Sequence, residues 1–179
     1  MEILFVCTGN TCRSPMTQVI AEDVFARAGI TARCSSAGVA ASPGSPASDG
    51  ARSAAAANGL CLDAHASQPV TKADISAADL VLTMTGSHCD CILGQYPQHN
   101  GKIYPIYGYV RGEAFDVQDP FGGGTEEYNL CYEELRGLIE QLADIIIYET
   151  GKTDDRNRKR SRRLRIKAGC LKLFSKFKI

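Results

Sequence analysis

The 179-residue chain has no apolar run near the roughly 20 residues a bilayer-crossing helix requires, which excludes a membrane-spanning helix. It also lacks an N-terminal apolar segment with a signal-peptide layout. Met1 leads almost directly into "EILFVC", so the expected setting is a reducing cytosol. No internal repeat is present. The eight cysteines, at 7, 12, 34, 61, 89, 91, 131 and 170, lack the spacing of a secreted disulfide scaffold and are expected to be free thiols. "HCDC" at 88–91 has one local histidine and no distant cysteine pair, so neither a metal nor a cofactor is expected.

Net charge is also absent, but the zero conceals two opposed bodies. Residues 152–179 hold twelve Lys or Arg against two Asp, and the preceding 151 residues hold eight basic against eighteen acidic. The chain therefore divides into a domain over 1–150 and a basic tail over 151–179. With 44% hydrophobic content the first part can bury one substantial core.

Periodicity places strands at 2–7, 31–39, 79–85 and 102–107. Helices are expected over "SPMTQVIAEDVFARAG", over the Ala-rich "ASDGARSAAAANG", over 87–95 and over 125–148. Strands alternating with helices predict an α/β domain: a doubly wound, four-stranded parallel sheet with helices on both faces. Ligands of such sheets bind beyond the carboxyl ends of the strands, and Cys7 lies at one such end.

The loop "CTGNTCRS" carries the chemistry. Cys7 closes a strand just before a helix begins, so backbone N–H groups of Thr8, Gly9, Asn10, Thr11 and Cys12 can converge on an anion above its sulfur. The same field favours the thiolate. Gly9 and Asn10 tolerate the left-handed backbone that an inward-curling loop needs. Arg13 offers a planar fork to phosphate oxygens, and Ser14 can give its hydroxyl hydrogen to the sulfur. The Gly-Lys-Ser/Thr ending of a nucleotide-binding loop is missing, so the anion is attacked here rather than held for another nucleophile.

A cysteine phosphatase also needs a group that protonates the leaving atom and then activates water. "FDVQDPFGGG" supplies Asp116 and Asp119. Asp119 is the better candidate, because Pro120 biases it away from helix on a Gly-rich loop after the last strand. A non-catalytic phosphate-binding module would show a loss among Cys7, Arg13 and Asp119, and all three are present.

Together "CTGNTCRSPM", "SSAGV", "HASQPVT", "ADLVLTMT" and "DPFGG" resemble the low-molecular-weight protein-tyrosine phosphatases over roughly residues 1–150. The resemblance implies a phosphocysteine intermediate on Cys7, Arg13 as phosphate clamp and Asp119 as acid and base. It also implies that Asn10, Ser14, Ser36 and His65 form the network holding the loop open, and that phosphorylated proteins are the substrates. Two departures stand out. Thr11 occupies the place of a bulky aliphatic residue, and Phe121 and Gly122 replace two tyrosines. Both thin the walls that would grip a phenyl ring, and the combination resembles the bacterial protein-arginine phosphatase branch, with Phe121 as one aromatic wall.

General tyrosine phosphatase activity is the alternative. The same fold serves thioredoxin-coupled arsenate reductases, whose first relay cysteine ends the third strand; here Thr85 stands there, with Cys89 and Cys91 shortly after. A reversible Cys7–Cys12 disulfide could switch activity off under oxidation, unless Cys12 only packs beneath the loop. In the tail, Ile166, Cys170, Leu173 and Phe177 recur at helical spacing among lysines. Such a segment suits an anionic membrane surface or an acidic protein; nucleic acid is the weaker candidate, since phosphates give the apolar stripe no use.

Overall fold

The computed structural model describes residues 1–151; the tail and its expected amphipathic helix lie outside the described residues. The described chain forms one four-stranded sheet of β1 (Glu2–Cys7), β2 (Arg33–Gly38), β3 (Leu80–Thr83) and β4 (Ile103–Pro105). The order is β2-β1-β3-β4 and every pairing is parallel, as the alternating pattern predicts. Successive side chains of a strand point to opposite faces, so each face needs its own cover. Ile3, Phe5 and Cys7 join Leu80, Leu82 and Met84 in one apolar cluster, while Leu4, Val6 and Val81 join a second.

The larger cluster is covered by α1 (Arg13–Arg27), α2 (Asp49–Ala57) and the long terminal helix α6 (Thr125–Glu149). Tyr128, Cys131, Tyr132, Leu135, Leu138, Ile139, Leu142 and Ile146 recur at three- and four-residue spacing on α6 and are all buried. That stripe sets how the helix lies, each fully buried Leu or Ile contributing about 1.5–3 kcal/mol. The smaller cluster is covered by α3 (Lys72–Ala77) and α4 (Gly86–Gln95), which supply Ile75, Cys89 and Ile92.

Two elements differ from the periodicity reading. α3 has only six residues, too few to show a period, and is fixed by a reciprocal cap in which Thr71 and Asp74 satisfy one another's backbone N–H groups. The stretch expected as strand 102–107 is split: β4 stops at Pro105, whose missing N–H cannot extend a ladder, and α5 (Ile106–Arg111) starts at once. Among the described residues no helix is long and apolar enough to cross a membrane.

Candidate active site

β1 is central, paired on both edges, and delivers Cys7 to the carboxyl end of the sheet. Six residues later α1 begins, with no side-chain cap and no acid in its first turn, so its leading N–H groups are left for an anion. Between them Asn10 adopts φ +55°, the one left-handed non-glycine residue among those described. This turn brings the Asn10 N–H to 3.3 Å from the Cys7 sulfur. Gly38 on the neighbouring strand makes room for the loop: a Cβ there would lie 2.4 Å from the Thr8 carbonyl oxygen and 3.0 Å from the Asn10 nitrogen.

Asn10 is fully buried and its orientation follows from its partners. Its Oδ1 accepts the Gln68 backbone N–H at 2.9 Å, which directs Nδ2 to donate to Ser14 Oγ at 2.9 Å and Ser36 Oγ at 3.0 Å. Ser36 passes its own hydrogen to Gln18 Oε1 at 2.8 Å. His65 Nε2 donates to the Asn10 carbonyl at 2.7 Å. Ser14 Oγ accepts from Asn10, and its single hydrogen faces the Cys7 sulfur at 3.0 Å and the Ala37 carbonyl at 3.3 Å, the sulfur being the nearer. Asn10, Ser14, Ser36 and His65 are thus brought together, joined by Gln18 and Gln68, which sequence reasoning missed. Gln18 follows Ser14 by four positions on one helix face, and that spacing was its available signal.

Arg13 is nearly buried and lies against Asp119 from the far side of the domain: Nη2 to Oδ2 is 2.6 Å, with the arginine side chain 6% and the aspartate 49% exposed. Nη1 donates to the Val117 carbonyl at 3.3 Å, and Nη2 also donates to Thr8 Oγ1 at 3.4 Å. Asp116 turns elsewhere, its Oδ1 accepting the Gly86 N–H at the start of α4. Phe121 donates its backbone N–H to Asp119 Oδ1 at 3.3 Å while its ring is largely exposed. Thr11 is half-buried on the loop, its hydroxyl 3.7 Å from the Cys12 sulfur. Cys12 packs beneath, 3.2 Å from Ser48 Oγ and 3.4 Å from the Tyr128 hydroxyl.

Three thiols away from the loop are held protonated by their surroundings. Burial, then Glu22, pushes Cys34 up to about 12, and burial, then Glu134, does the same for Cys131. Burial, then Asp90, raises Cys89. These three are held as thiols, whereas a nucleophile must be a thiolate. Among the described residues no group of three or more His, Cys, Asp or Glu side chains is placed to hold a metal ion, and both ring nitrogens of His88 face threonine hydroxyls.

A sulfur that takes an amide N–H from its own loop, just ahead of a helix opened by a buried arginine, suits attack on phosphorus, and the class is a cysteine-dependent phosphatase. The family described as "Low molecular weight phosphotyrosine protein phosphatase" matches residues 2–154, and the chain belongs to that family. It is 41% identical over 143 residues to the protein-arginine-phosphatase of Bacillus subtilis, covering 80% of this chain and 95% of that one. It is 39% identical over 146 residues to the low molecular weight protein-tyrosine-phosphatase PtpB of Staphylococcus aureus, covering 82% and 99%.

A solved YwlE arginine phosphatase, a C7S mutant with a phosphorylated active-site serine, superposes with a TM-score of 0.79 at 39% identity, over 88% of this chain and 99% of the other. The chain is a protein phosphatase. The reductase alternative is not favoured: these relatives are phosphatases, and Cys89 sits in the cluster on the opposite sheet face from Cys7.

Proposed function

We propose that the enzyme removes phosphate from phosphoarginine residues of proteins. The observation that carries the reading is Thr11, a half-buried hydroxyl on the anion loop where tyrosine-directed members of the family present an apolar wall. Phosphoarginine carries a planar, polar, cationic guanidinium beside its phosphate. A hydroxyl-bearing rim tolerates that group, and a carboxylate attracts it. The arginine-phosphatase relatives support the same reading.

The Cys7 thiolate attacks phosphorus while the P–N bond breaks, and Asp119 gives its proton to the departing nitrogen. Arg13 and the loop amides take the charge of the equatorial oxygens. Asp119, now a carboxylate, takes a proton from the water that attacks the phosphocysteine. Inorganic phosphate leaves, and the Cys7 thiolate, steadied by Ser14, is restored. For the first of these steps, cleavage of the P–N bond, Asp119 must come away from Arg13 and be protonated, which an arriving phosphate promotes by taking the arginine fork for itself.

The test is kcat/KM on matched phosphoarginine and phosphotyrosine peptides. A clear preference for phosphotyrosine would favour the alternative carried by the tyrosine-phosphatase relative and overturn this one. For the tail we propose an anionic membrane surface as partner, on the strength of its charge and apolar stripe. Co-sedimentation of the full chain with anionic vesicles at low salt, set against a chain ending at Gly151, tests it. Equal indifference of the two would remove it, and binding to an acidic protein or to nucleic acid instead would replace it.

A further inference from the structure

Thr8 is the loop side chain that touches the arginine clamp from the solvent side. Its Oγ1 lies 3.4 Å from Arg13 Nη2 and 2.8 Å from Nε2 of His88, a residue 80 positions later on α4. His88 is only 6% exposed. Its other ring nitrogen, Nδ1, lies 2.8 Å from Thr85 Oγ1, which also accepts the His88 backbone N–H at 3.2 Å and approaches Ser87 Oγ at 2.8 Å.

Donor accounting orders these contacts. A guanidinium only donates, so the Thr8 oxygen accepts from Arg13. Thr8 Oγ1 keeps a second lone pair, so the neighbouring His88 Nε2 takes the Thr8 hydrogen when the ring is neutral with its proton on Nδ1. In that tautomer the Nδ1 proton goes to Thr85, whose hydrogen goes on to Ser87. In that arrangement the bonds run one way, Arg13 to Thr8 to His88 to Thr85, with the imidazole neutral. Its surroundings agree: burial first, then Arg13, holds His88 below its ordinary 6.5, against smaller opposing effects of Asp116 and Asp119.

We infer that His88 is a positioning residue for the phosphate clamp, fixing through the Thr8 hydroxyl the plane in which the Arg13 guanidinium is presented. Val117 holds the fork at Nη1 and Thr8 at Nη2, the nitrogen that also meets Asp119, whose place a phosphate oxygen would inherit. Without the imidazole, the Thr8 hydroxyl loses its acceptor and turns freely, and one side of the fork is no longer fixed. The inference rests on Arg13 being the clamp.

The test uses the full chain, with inorganic phosphate as inhibitor and an aryl phosphate with a good leaving group as substrate, so that Asp119 contributes little. His88→Ala should lower kcat/KM about 10-fold and raise the Ki of phosphate in parallel, less than the ~100-fold that a 1 Å misplacement can cost, because Val117 still holds Nη1. His88→Gln places a carbonyl oxygen near the Nε2 position and should restore both values. His88→Asn reaches only the Nδ1 position and should not. Thr8→Val should reproduce the loss, and adding His88→Ala to it should cost nothing more. Values for His88→Ala within twofold of the parent, equal rescue by Asn and Gln, or additive losses in the double variant would each overturn the inference. If the alanine variant fails to fold, the Gln and Asn pair decides. Arg13→Ala, measured alongside, separates the two readings: undiminished phosphate affinity there removes the clamp itself, whereas loss there but not in His88→Ala removes only the role of His88.

Discussion

Arg13 and Asp119, 106 positions apart, meet in an ion pair of 2.6 Å at the mouth of the anion loop. The clamp and the acid of the proposed mechanism are each other's partner until phosphate arrives. Removing either therefore affects both binding and chemistry, and the choice of substrate decides which effect is seen.

Asp119→Ala should slow poor leaving groups by about 10²–10⁴-fold and good ones much less, because only the former need a proton in the transition state. Phosphate affinity should hold or rise, since Arg13 loses a competitor. Asp116→Ala should leave the chemistry nearly intact and cost about 0.5–2 kcal/mol of stability, because its side chain caps the Gly86 N–H. Leaving-group plots for the two variants check this, and a reversed pattern would assign the acid to Asp116.

Cys7→Ser should lose turnover by at least about 10³-fold, as removal of a nucleophile does. Inorganic phosphate or vanadate should still bind, because the amides and Arg13 stay in place. Calorimetric titration of the variant measures that, and full turnover would exclude the phosphocysteine route.

Thr11→Ile removes a hydroxyl and adds apolar surface to the loop. The ratio of kcat/KM for phosphoarginine over phosphotyrosine peptides should fall by about 10-fold or more. An unchanged ratio would show that this position does not set the preference.

Neutral His88 makes stability depend on pH. Its folded-state pKa lies below the unfolded 6.5, so its contribution is complete above that value and is lost as pH falls through it. Wild type should therefore lose more stability than His88→Gln between about pH 7.5 and pH 5.5. Parallel melting curves for the two across that range would contradict it.

Gly38→Ala should damage the loop from the neighbouring strand. The new Cβ meets backbone of Thr8 and Asn10, which cannot swing aside, so activity should drop with a loss of about 1–3 kcal/mol. Gly137→Ala, in an open helical position, should instead stabilise by about 0.5–1 kcal/mol. Chemical denaturation of the two variants gives the comparison.

The sequence revealed most where partners are near in the chain. Cys7, Asn10, Arg13 and Ser14 fall within eight residues, and loop chemistry alone brings them to one point. β1, α1 and α6 announce themselves through long periodic runs, whereas α3 and α5, six residues each, do not. Asp119 could be placed near Arg13 only through the rule that loops at the carboxyl edge of a parallel sheet converge. The link from Asn10 to His65 was open to family resemblance and not to spacing, and its link to Gln68 was missed. His88 was hidden altogether: its site partner, Thr8, is 80 positions away, and its local neighbours suggested a metal-like cluster or a relay rather than a hydrogen-bond acceptor.

The central place of β1 in the sheet grades the rigidity of the enzyme. Residues 3–6 are buried and paired on both sides, so their amides should exchange with solvent only when the whole domain opens. The segment 112–124 carries Asp119 on largely exposed residues, with few backbone anchors such as Val117 N–H to the Met84 carbonyl, and should exchange through local fluctuation. On warming, the grip on phosphate should therefore outlast the delivery of the proton, and turnover of activated esters should persist at temperatures where turnover of natural leaving groups has already faded.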